Sequence, residues 1–288
     1  MQELAERVAV ITGAASGIGR GIAEAAAAKQ MRLVLADIEP KTLDAAADAL
    51  RAAGAEVAAV PTDVSDAGAV TRLGEAALDH FGAVHLVCNN AGVLVAGSLW
   101  ENSLDELRWS VDVNLWGVIH GIRTFVPILL EQGGEGHIVN TASMAGLTAA
   151  PYLDIYNATK HAVVALSETL HKELAMLESG VGVSVVCPGL IQTRIMESAR
   201  NQPGTGDRDP DARTLSEGGN FITGFLSAGI DDGWPPSRVA DAIFDAVAAQ
   251  RFYVIPAQEP VKAGLYQRLD ELREERNPAL PGIFSEPS

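Results

Sequence analysis

The sequence predicts an α/β protein built on one doubly wound parallel sheet of about seven strands, with helices on both faces. Short apolar runs alternate with longer alanine- and leucine-rich segments along the 288 residues. The runs are apolar almost throughout, which is typical of strands that are buried on both faces. Hydrophobic residues make up 48% of the chain and aromatic residues 5%, a composition that suits helices packed closely on such a sheet.

Each predicted strand is a short run rich in β-branched residues, and the predicted helices lie between these runs. The predicted strands span residues 8–11, 32–36, 56–61, 85–88, 137–140, 182–187 and 252–255. The predicted helices span residues 18–29, 40–53, 66–80, 103–131, 155–178 and 237–250. This alternation assigns residues 1–257 to one domain, followed by a C-terminal helix and an extended tail over 258–288.

The net charge of −16 disfavours anionic partners. An acidic surface repels phosphate backbones and anionic lipids, so neither nucleic-acid binding nor membrane binding is expected. No early segment combines a basic start, an apolar run and a cleavage site, and no apolar stretch is expected to reach the length of a membrane span. We therefore expect a cytoplasmic protein.

The two cysteines and six histidines give no pattern typical of a disulfide framework or a metal site. Cys88 and Cys187 lie in apolar strand-like runs, where we expect small buried side chains of a reduced compartment. The histidines are scattered. His161 and His171 share one predicted helix but are ten residues apart, which is too far for a helical ligand pair. We therefore expect no metal.

Residues 201–220 interrupt the alternation, because they are rich in Gly, Asp, Pro and Arg and lack apolar periodicity. The apolar run 221–226 follows directly. Two interpretations are open: a lid with an apolar inner face, within an insertion over about 194–235, or a disordered surface insertion. The apolar run favours the lid.

A glycine-rich loop, Thr-Gly-Ala-Ala-Ser-Gly-Ile-Gly at 12–19, follows the first predicted strand and opens the first predicted helix. Gly13 permits a sharp turn, Gly17 lets backbone amides approach a pyrophosphate, and Gly19 lets the helix pack tightly on the strand. The helix N-terminus offers N–H groups and partial positive charge to the anion. The loop predicts a Rossmann-type dinucleotide site; a glycine-rich turn without a ligand is the alternative.

Asp37 ends the second predicted strand, eighteen residues after the glycine loop. A carboxylate here can accept hydrogen bonds from both hydroxyls of the adenosine ribose and repels a 2′-phosphate. Neither Ile38 nor Ser16 supplies the cation that such a phosphate needs, so the sequence predicts NAD over NADP. Arg20 and Lys41 are nearby cations that count against this prediction.

Two further segments follow predicted strands at the carboxyl edge of the sheet, where open α/β sheets bind ligands. They are Asp63-Val64 and Asn-Asn-Ala-Gly at 89–92. A side-chain amide can bind the adenine edge, and small residues can lie against a ribose. The Asn-Asn-Ala-Gly run also fits a plain turn.

Tyr156 and Lys160 are four residues apart, so they project from one face of a predicted helix, and Ser143 lies thirteen residues before Tyr156. A phenol with a pKa near 10 is a poor base at neutral pH. A neighbouring ammonium group favours the phenolate, so Lys160 is expected to lower the pKa of Tyr156 towards the working pH. The same spacing also occurs on ordinary amphipathic helices, so the pair alone does not decide between the two interpretations.

Taken together, these residues resemble the short-chain dehydrogenase/reductase family over almost the whole chain, from Val8 to about Ile255. Each matching motif is short, but their order and spacing together are specific. The motifs are Thr-Gly-x-x-x-Gly-x-Gly at 12–19, Asn-Asn-Ala-Gly at 89–92, Asn114, Ser143, Tyr-x-x-x-Lys at 156–160, and Pro-Gly at 188–189 followed by Thr193.

The resemblance implies an NAD-dependent oxidoreductase with Tyr156 as its acid/base. Lys160 would lower the pKa of Tyr156 and bind the nicotinamide ribose, and Ser143 would bind the substrate oxygen. Asn114 would anchor a water molecule near Lys160. The implied cofactor-binding residues are Gly13, Ser16, Gly17, Ile18, Gly19, Asp37, Asp63, Val64, Asn90, Gly92, Tyr156, Lys160, Ile191 and Thr193.

The resemblance also implies a homo-oligomer, a tetramer or a dimer, assembled through the two long helices near 103–131 and 155–178. The alternative is that the apolar residues of the first of these helices face the core of their own subunit. Those residues are Leu104, Leu107, Val111, Leu115 and Val118.

The loops that select substrate in this fold are mostly apolar, with Arg194 as their nearby cation. Such a pocket predicts a hydrophobic secondary alcohol or ketone of aryl, alicyclic or steroid-like type. Residues 193–201 and the insertion loosely resemble bacterial dehydrogenases of bulky aromatic alcohols. The expected substrate-binding residues are Ser143, Tyr156, Leu153, Leu190 and Met196.

Three functions compete, and a secondary-alcohol dehydrogenase is favoured. A carbonyl or acyl-carrier-linked ketoreductase would usually favour NADP and need a basic patch, against which both Asp37 and the net charge of −16 count. A non-catalytic NAD-binding sensor or scaffold has no need of Ser143, Tyr156 and Lys160.

Overall fold

In the part of the chain that the structure describes, seven strands form a single parallel sheet, which confirms the predicted fold class. The computed structural model describes residues 1, 3–204, 215–280 and 282, so residues 205–214 of the predicted insertion lie outside the described part. The strands are β1 (Val8–Thr12), β2 (Arg32–Asp37), β3 (Val57–Pro61), β4 (Leu86–Asn89), β5 (Gly136–Thr141), β6 (Val181–Val186) and β7 (Tyr253–Val254). Their order across the sheet is β3-β2-β1-β4-β5-β6-β7.

Helices connect the strands and cover both faces of the sheet. In the described residues they are α1 (Gly17–Ala28), α2 (Pro40–Ala52), α3 (Ala67–Phe81), α4 (Leu104–Val111), α5 (Gly117–Gln132), α6 (Asp154–Met176), α7 (Glu217–Asp231), α8 (Pro236–Ala249) and α9 (Glu259–Arg273). Short turns of other helix types occur at Asp112–Trp116 (a π turn), Met144–Gly146 and Ile195–Asn201 (both 3₁₀).

Two apolar layers bury the sheet, and β1 contributes to both because successive side chains of a strand point to opposite faces. Ala9 and Ile11 pack in the layer that contains Ile22 of α1 and Ile243 of α8. Val8 and Val10 pack in the layer that contains Phe125 and Leu129 of α5. This explains why the strands read as continuous apolar runs and not as alternating ones.

The helical stretch Leu104–Gln132 corrects one sequence expectation. Its 29 residues include an 18-residue window of mean hydropathy 1.4, so among the described residues this helix is long and apolar enough to cross a membrane by length and composition. The core helix of a soluble protein passes the same test, and here Phe125 and Leu129 pack against the sheet. In this window 33% is buried, and Trp116 and Leu130 are among the apolar side chains of the helix that are exposed.

Helix α7 occupies part of the region that the sequence assigned to a lid, and no helix was predicted there. Its N-cap Ser216 accepts a hydrogen bond from the Gly219 N–H, and Ile222 is buried. Four glycines lower the local helix propensity, so the helix depends on the tertiary packing of its apolar face. The apolar run 221–226 therefore belongs to a helix that packs on the domain.

Both cysteines are buried free thiols, as expected, and burial raises the pKa of each to about 12. Cys88 lies in β4, and Cys187 directly follows β6. At such pKa values both thiols are protonated at neutral pH and act as small apolar groups.

The strand order reverses direction between β1 and β4, since the chain runs outward from β1 to β3 and then returns to the other side. Such a reversal opens a crevice at the carboxyl edge of a parallel sheet. The glycine loop and the Asn-Asn-Ala-Gly run leave β1 and β4 at this point, and they meet in one cavity.

Candidate active site

The turn between β1 and α1 needs glycine at each of its three motif positions. Gly13 and Gly17 have φ values of +65° and +53°, which side chains rarely adopt. A Cβ on Gly13 would lie 2.9 Å from Ala91 Cα, and one on Gly17 would lie 3.0 Å from Thr193 Cγ2. A Cβ on Gly19 would collide with the Gly13 carbonyl oxygen. Gly19 therefore does not line the cavity but sets how closely α1 approaches the turn.

Thr12 locks this turn to the end of β4. Its hydroxyl oxygen accepts hydrogen bonds from the N–H groups of Asn90 (2.9 Å) and Ala91 (3.1 Å) and donates to Cys88 O (3.3 Å). Asn90 Nδ2 donates in turn to Thr12 O (3.0 Å). The sequence places Thr12 in the motif but assigns it no role, because its partners lie about 78 residues away.

Asp37 braces the glycine loop from the end of β2. Its carboxylate accepts hydrogen bonds from Ala15 N (3.0 Å) and Glu39 N (3.1 Å) and lines the same cavity. Burial raises the pKa of Asp37, although the backbone hydrogen bonds oppose this effect. Asp63 and Val64, after β3, lie on the cavity wall as well.

Ser143, Tyr156 and Lys160 come together at the other end of the cavity. Ser143 follows β5, and α6 carries the other two side chains, of which Tyr156 is 7% exposed and Lys160 is 2% exposed. Lys160 Nζ donates to Thr141 O (3.1 Å) and lies 5.6 Å from the centre of the Tyr156 ring. The predicted four-residue spacing thus places both groups on the cavity side of one helix.

The structure does not show the expected lowering of the Tyr156 pKa by Lys160. Burial raises the pKa of Tyr156 to about 12, because the phenolate loses its hydration, and a hydrogen bond with Ser143 offsets only part of this. Burial likewise lowers the pKa of Lys160 to about 8. For both groups, the loss of surrounding water has a larger effect on the pKa than the neighbouring charge on which the prediction was based.

Asn114 lies behind this site, on the π turn between α4 and α5, and is fully buried. Its Oδ1 accepts a hydrogen bond from Val93 N and its Nδ2 donates to Val93 O, both at 2.8 Å. A Cβ on Gly92 would lie 3.1 Å from Asn114 Oδ1 and 3.4 Å from Lys160 Nζ. Asn114 does not line the cavity but fixes the chain beside Lys160, and π turns are frequent at functional sites.

The predicted substrate residues divide into two groups. Leu153 and Leu190 line the cavity beside Ser143 and Tyr156, whereas Met196 is half-buried and is not on the cavity wall. Its neighbour Ile195 lines the cavity instead. The segment is a kinked 3₁₀ turn, so the direction of each side chain could not be deduced from the sequence.

Two helices contribute wall residues that the sequence analysis did not assign. Phe225 and Leu226 come from α7, and Val261 and Gly264 come from α9. The apolar run 221–226 was the available signal for the first pair. The sequence around Val261 and Gly264 gives no sign of a place in the cavity wall. Helix α9 reaches the cavity through tertiary contacts, such as the hydrogen bond from Arg268 Nη1 to Leu147 O (2.7 Å).

The loop after β6 contributes Ile191 and Thr193, two of the predicted cofactor-binding residues, to the cavity wall. Ile191 is buried, and Gln258 holds its neighbour Leu190 through hydrogen bonds to the backbone N–H (3.1 Å) and carbonyl oxygen (2.7 Å). In the described residues, no group of three or more His, Cys, Asp or Glu side chains could hold a metal ion.

A cation that the sequence did not reveal lies near Asp37. Arg200 lines the cavity together with Asp37 and Ile38, and its guanidinium forms an ion pair with Glu39 at 2.7 Å. Arg20, which the sequence suggested together with Lys41 as a nearby cation, pairs with Glu24 (2.7 Å). Arg200 could not be found from sequence because 161 residues separate it from Glu39.

Comparison with known proteins agrees with this geometry. A family model described as short chain dehydrogenase matches residues 7–204. The solved structure of a short chain dehydrogenase/reductase from Burkholderia phymatum, in complex with NAD, is similar with a TM-score of 0.92 and 43% sequence identity. The likeness covers 98% of this chain and 99% of that one.

Two curated relatives extend the comparison. A CLA biosynthesis dehydrogenase/reductase of Lactiplantibacillus plantarum is 32% identical, covering 90% of this chain and 91% of the relative. A 1-deoxy-11-beta-hydroxypentalenate dehydrogenase of Streptomyces exfoliatus is 36% identical, covering 87% and 83%. This chain therefore belongs to the short-chain dehydrogenase/reductase family of oxidoreductases.

Proposed function

We propose that this protein is an NAD-dependent oxidoreductase that transfers a hydride between NAD and a hydrophobic secondary alcohol of aryl, alicyclic or steroid-like type. One observation carries the proposal. A single cavity joins the glycine turn and Asp37 at one end to Ser143, Tyr156 and Lys160 at the other. A dinucleotide bound along it would bring its nicotinamide to the buried phenol.

The residues present fit NAD. The side-chain-free turn at Gly13 and Gly17 leaves room for a pyrophosphate at the start of α1, where N–H groups favour an anion. Asp37 offers a carboxylate for the adenosine ribose hydroxyls, and Glu39 neutralises the cation that would attract a 2′-phosphate. The structure of the Burkholderia phymatum relative contains NAD, which supports NAD as a cofactor.

In the proposed mechanism, Ser143 Oγ holds the substrate oxygen and the Tyr156 hydroxyl oxygen exchanges a proton with it. Lys160 binds the nicotinamide ribose. Its ammonium charge, 5.6 Å from the centre of the Tyr156 ring, favours the phenolate, although burial outweighs this effect on the pKa of Tyr156. NAD supplies, when bound, a hydride acceptor and a positive charge that also favours the phenolate. Asn114 keeps the backbone beside Lys160 in place, and the cavity walls exclude water from the reacting atoms.

The substrate class follows from the wall around Ser143 and Tyr156. Most wall residues from the loops and from α7 and α9 are apolar, and the charged Arg194 on this wall is paired with Glu197 at 2.7 Å. A neutral, bulky and apolar alcohol therefore fits better than a charged one. The Streptomyces relative is named for a hydroxylated compound, which is consistent with an alcohol substrate. The apolar wall residues around Ser143 and Tyr156 are Val93, Leu94, Leu153, Leu190, Ile195, Phe225, Leu226 and Val261.

We further propose that the protein acts in the cytoplasm as a homo-oligomer, a tetramer or a dimer. Two buried free thiols suit a reducing compartment. The long helix Leu104–Gln132 exposes Leu104, Trp116 and Leu130 on the subunit, and exposed apolar groups along one helix favour an interface.

Replacement of Tyr156 tests the catalytic assignment. In Tyr156→Phe we expect oxidation of alicyclic and aryl secondary alcohols, followed by NADH absorbance, to fall by about 10²-fold or more, because the proton acceptor is lost. Calorimetric titration should show that NAD still binds. Tyr253→Phe is the matched control, since it removes an exposed hydroxyl that donates to Glu168 and should leave turnover unchanged.

The same titrations test the cofactor choice, since NAD should bind more tightly than NADP. Turnover of Tyr156→Phe close to that of the wild type would contradict the catalytic assignment. Tighter binding of NADP would contradict the interpretation of Asp37.

A further inference from the structure

An ion pair joins the β2–α2 turn to the segment after β6, beside the part of the cavity that Asp37 lines. Arg200 Nε donates to Glu39 Oε1 at 2.7 Å, and Asn201 Nδ2 donates to the same oxygen at 3.0 Å. Thr42 Oγ1 donates to the other carboxylate oxygen at 3.2 Å. One carboxylate therefore receives donors from two segments that are 161 residues apart.

This pair differs from the exposed ion pairs elsewhere on the surface. The side chains of Arg200 and Glu39 are 27% and 23% exposed, whereas those of Arg51 and Asp48 on α2 are 43% and 72% exposed. The hydrogen bonds from Asn201 and Arg200 hold the pKa of Glu39 below its usual value, although burial opposes them. A partly buried pair with several donors contributes more than an exposed one.

The segment Ile195–Asn201 spans the cavity from one end to the other. Arg200 and Asn201 line it beside Asp37, at the adenosine end, and Ile195 lines it on the substrate side. Between them the Ser198 hydroxyl oxygen accepts a hydrogen bond from Leu94 N at 3.1 Å. The segment is thus fixed in its middle by Ser198 and at its end by Glu39.

We propose that Glu39 and Arg200 are positioning residues that hold this segment over the bound cofactor and set the rate at which the cofactor leaves. Glu39 acts through Arg200, because Glu39 itself is not among the cavity-lining residues that the structure describes. Release of the cofactor requires the ion pair between Arg200 and Glu39 to separate. The inference rests on the proposed binding of NAD but not on the identity of the alcohol.

The test is the dissociation rate of NADH, measured by stopped-flow fluorescence with excess NAD as displacing ligand and no alcohol present. Glu39→Gln should release NADH about fivefold faster than the wild type, as expected for the loss of a partly buried pair. High salt should speed release from the wild type more than from the variant, because salt screens the ion pair. Asp48→Asn, which breaks the exposed pair with Arg51, is the matched control and should stay within about twofold of the wild type.

A double-mutant cycle separates positioning from a simple loss of stability. If the two residues act through each other, Arg200→Gln combined with Glu39→Gln should release NADH no faster than the quicker single variant. The KM for NAD should rise, whereas the single-turnover rate of hydride transfer should be unchanged. Arg200→Lys should restore part of the slow release because it keeps the charge.

Two outcomes would overturn the proposal. Release from Glu39→Gln within twofold of the wild type would show that the pair does not control the cofactor, as would rate increases that simply add in the double variant. Should Glu39→Gln fail to fold, the comparison of Arg200→Gln with Arg200→Lys answers the same question. Binding of NADH to the wild type in the same instrument shows separately whether the proposed cofactor is correct.

Discussion

At the scale of a single residue, the buried charge of Lys160 lowers the stability of the fold, although the proposed mechanism requires it. The residue is 2% exposed, its ammonium group donates a hydrogen bond to the Thr141 carbonyl oxygen, and burial lowers its pKa from 10.5 to about 8. The unfolded chain therefore holds the proton more tightly than the folded one. A shift of this size corresponds to about 3 kcal/mol of destabilisation at neutral pH.

We expect Lys160→Met to be inactive yet more stable than the wild type at pH 7, by up to about 3 kcal/mol, because a buried charge is removed. Between pH 8 and 10.5 the unfolded state binds more protons, so the penalty from Lys160 shrinks as pH rises through this window. Urea unfolding at pH 7 and pH 9.5 should therefore show a smaller difference at the higher pH. A variant less stable than the wild type at pH 7 would mean that the contact with Thr141 outweighs the burial of the charge.

At the scale of elements, the close packing of α1 against the glycine turn determines the shape of the cofactor end of the cavity. The helix begins at Gly17, directly after the turn, and Gly19 is buried against the Gly13 carbonyl. Glycine at this position is therefore a requirement of close packing between helix and turn and not of backbone conformation.

Gly19→Ala should weaken NAD binding by about tenfold and destabilise the fold by about 1–3 kcal/mol, because the new Cβ forces α1 away from the turn. Calorimetric titration and thermal unfolding measure the two effects. Gly224→Ala on α7 is the control. No atom lies within 4 Å of the added Cβ, so we expect unchanged NAD binding and a slight gain in stability. Equal behaviour of the two variants would contradict the packing argument.

At the scale of the whole molecule, the long helix Leu104–Gln132 leaves apolar side chains exposed although its other face packs on the sheet. Of the apolar residues on this helix that could face the core, Val118 is buried and Leu104 is 65% exposed. Only one face of the helix therefore packs in the core. Trp116 is 46% exposed and lies 5.7 Å from the ring of His120. An exposed apolar face of this kind favours association between copies of the chain.

Trp116→Glu should reduce the oligomer to a smaller species, because it places a charge in the proposed interface. Sedimentation velocity measures the change. Trp100→Glu is the matched control, since Trp100 is 85% exposed but lies in the loop before α4, and it should keep the wild-type assembly. A wild-type protein that sediments as a monomer would contradict the proposed assembly.

The strands, the glycine turn, Asp37 and the Tyr156–Lys160 pair could all be predicted from the sequence, because each rests on local information. An apolar run, a glycine spacing or two side chains one turn apart are set by a few consecutive residues. Helix α7 was missed for the same reason. Its glycines weaken the local signal, and packing of residues such as Ile222 supplies the stability that local propensity lacks.

Only the tertiary structure decided which distant groups meet and how far water is excluded from them. It brought Arg200 to Glu39 and α9 to the cavity, and it turned Ile195 towards the wall in place of Met196. It also reversed the expected direction of the Tyr156 pKa. Desolvation and long-range contacts depend on the whole packed chain, whereas local propensity and spacing depend only on neighbouring residues.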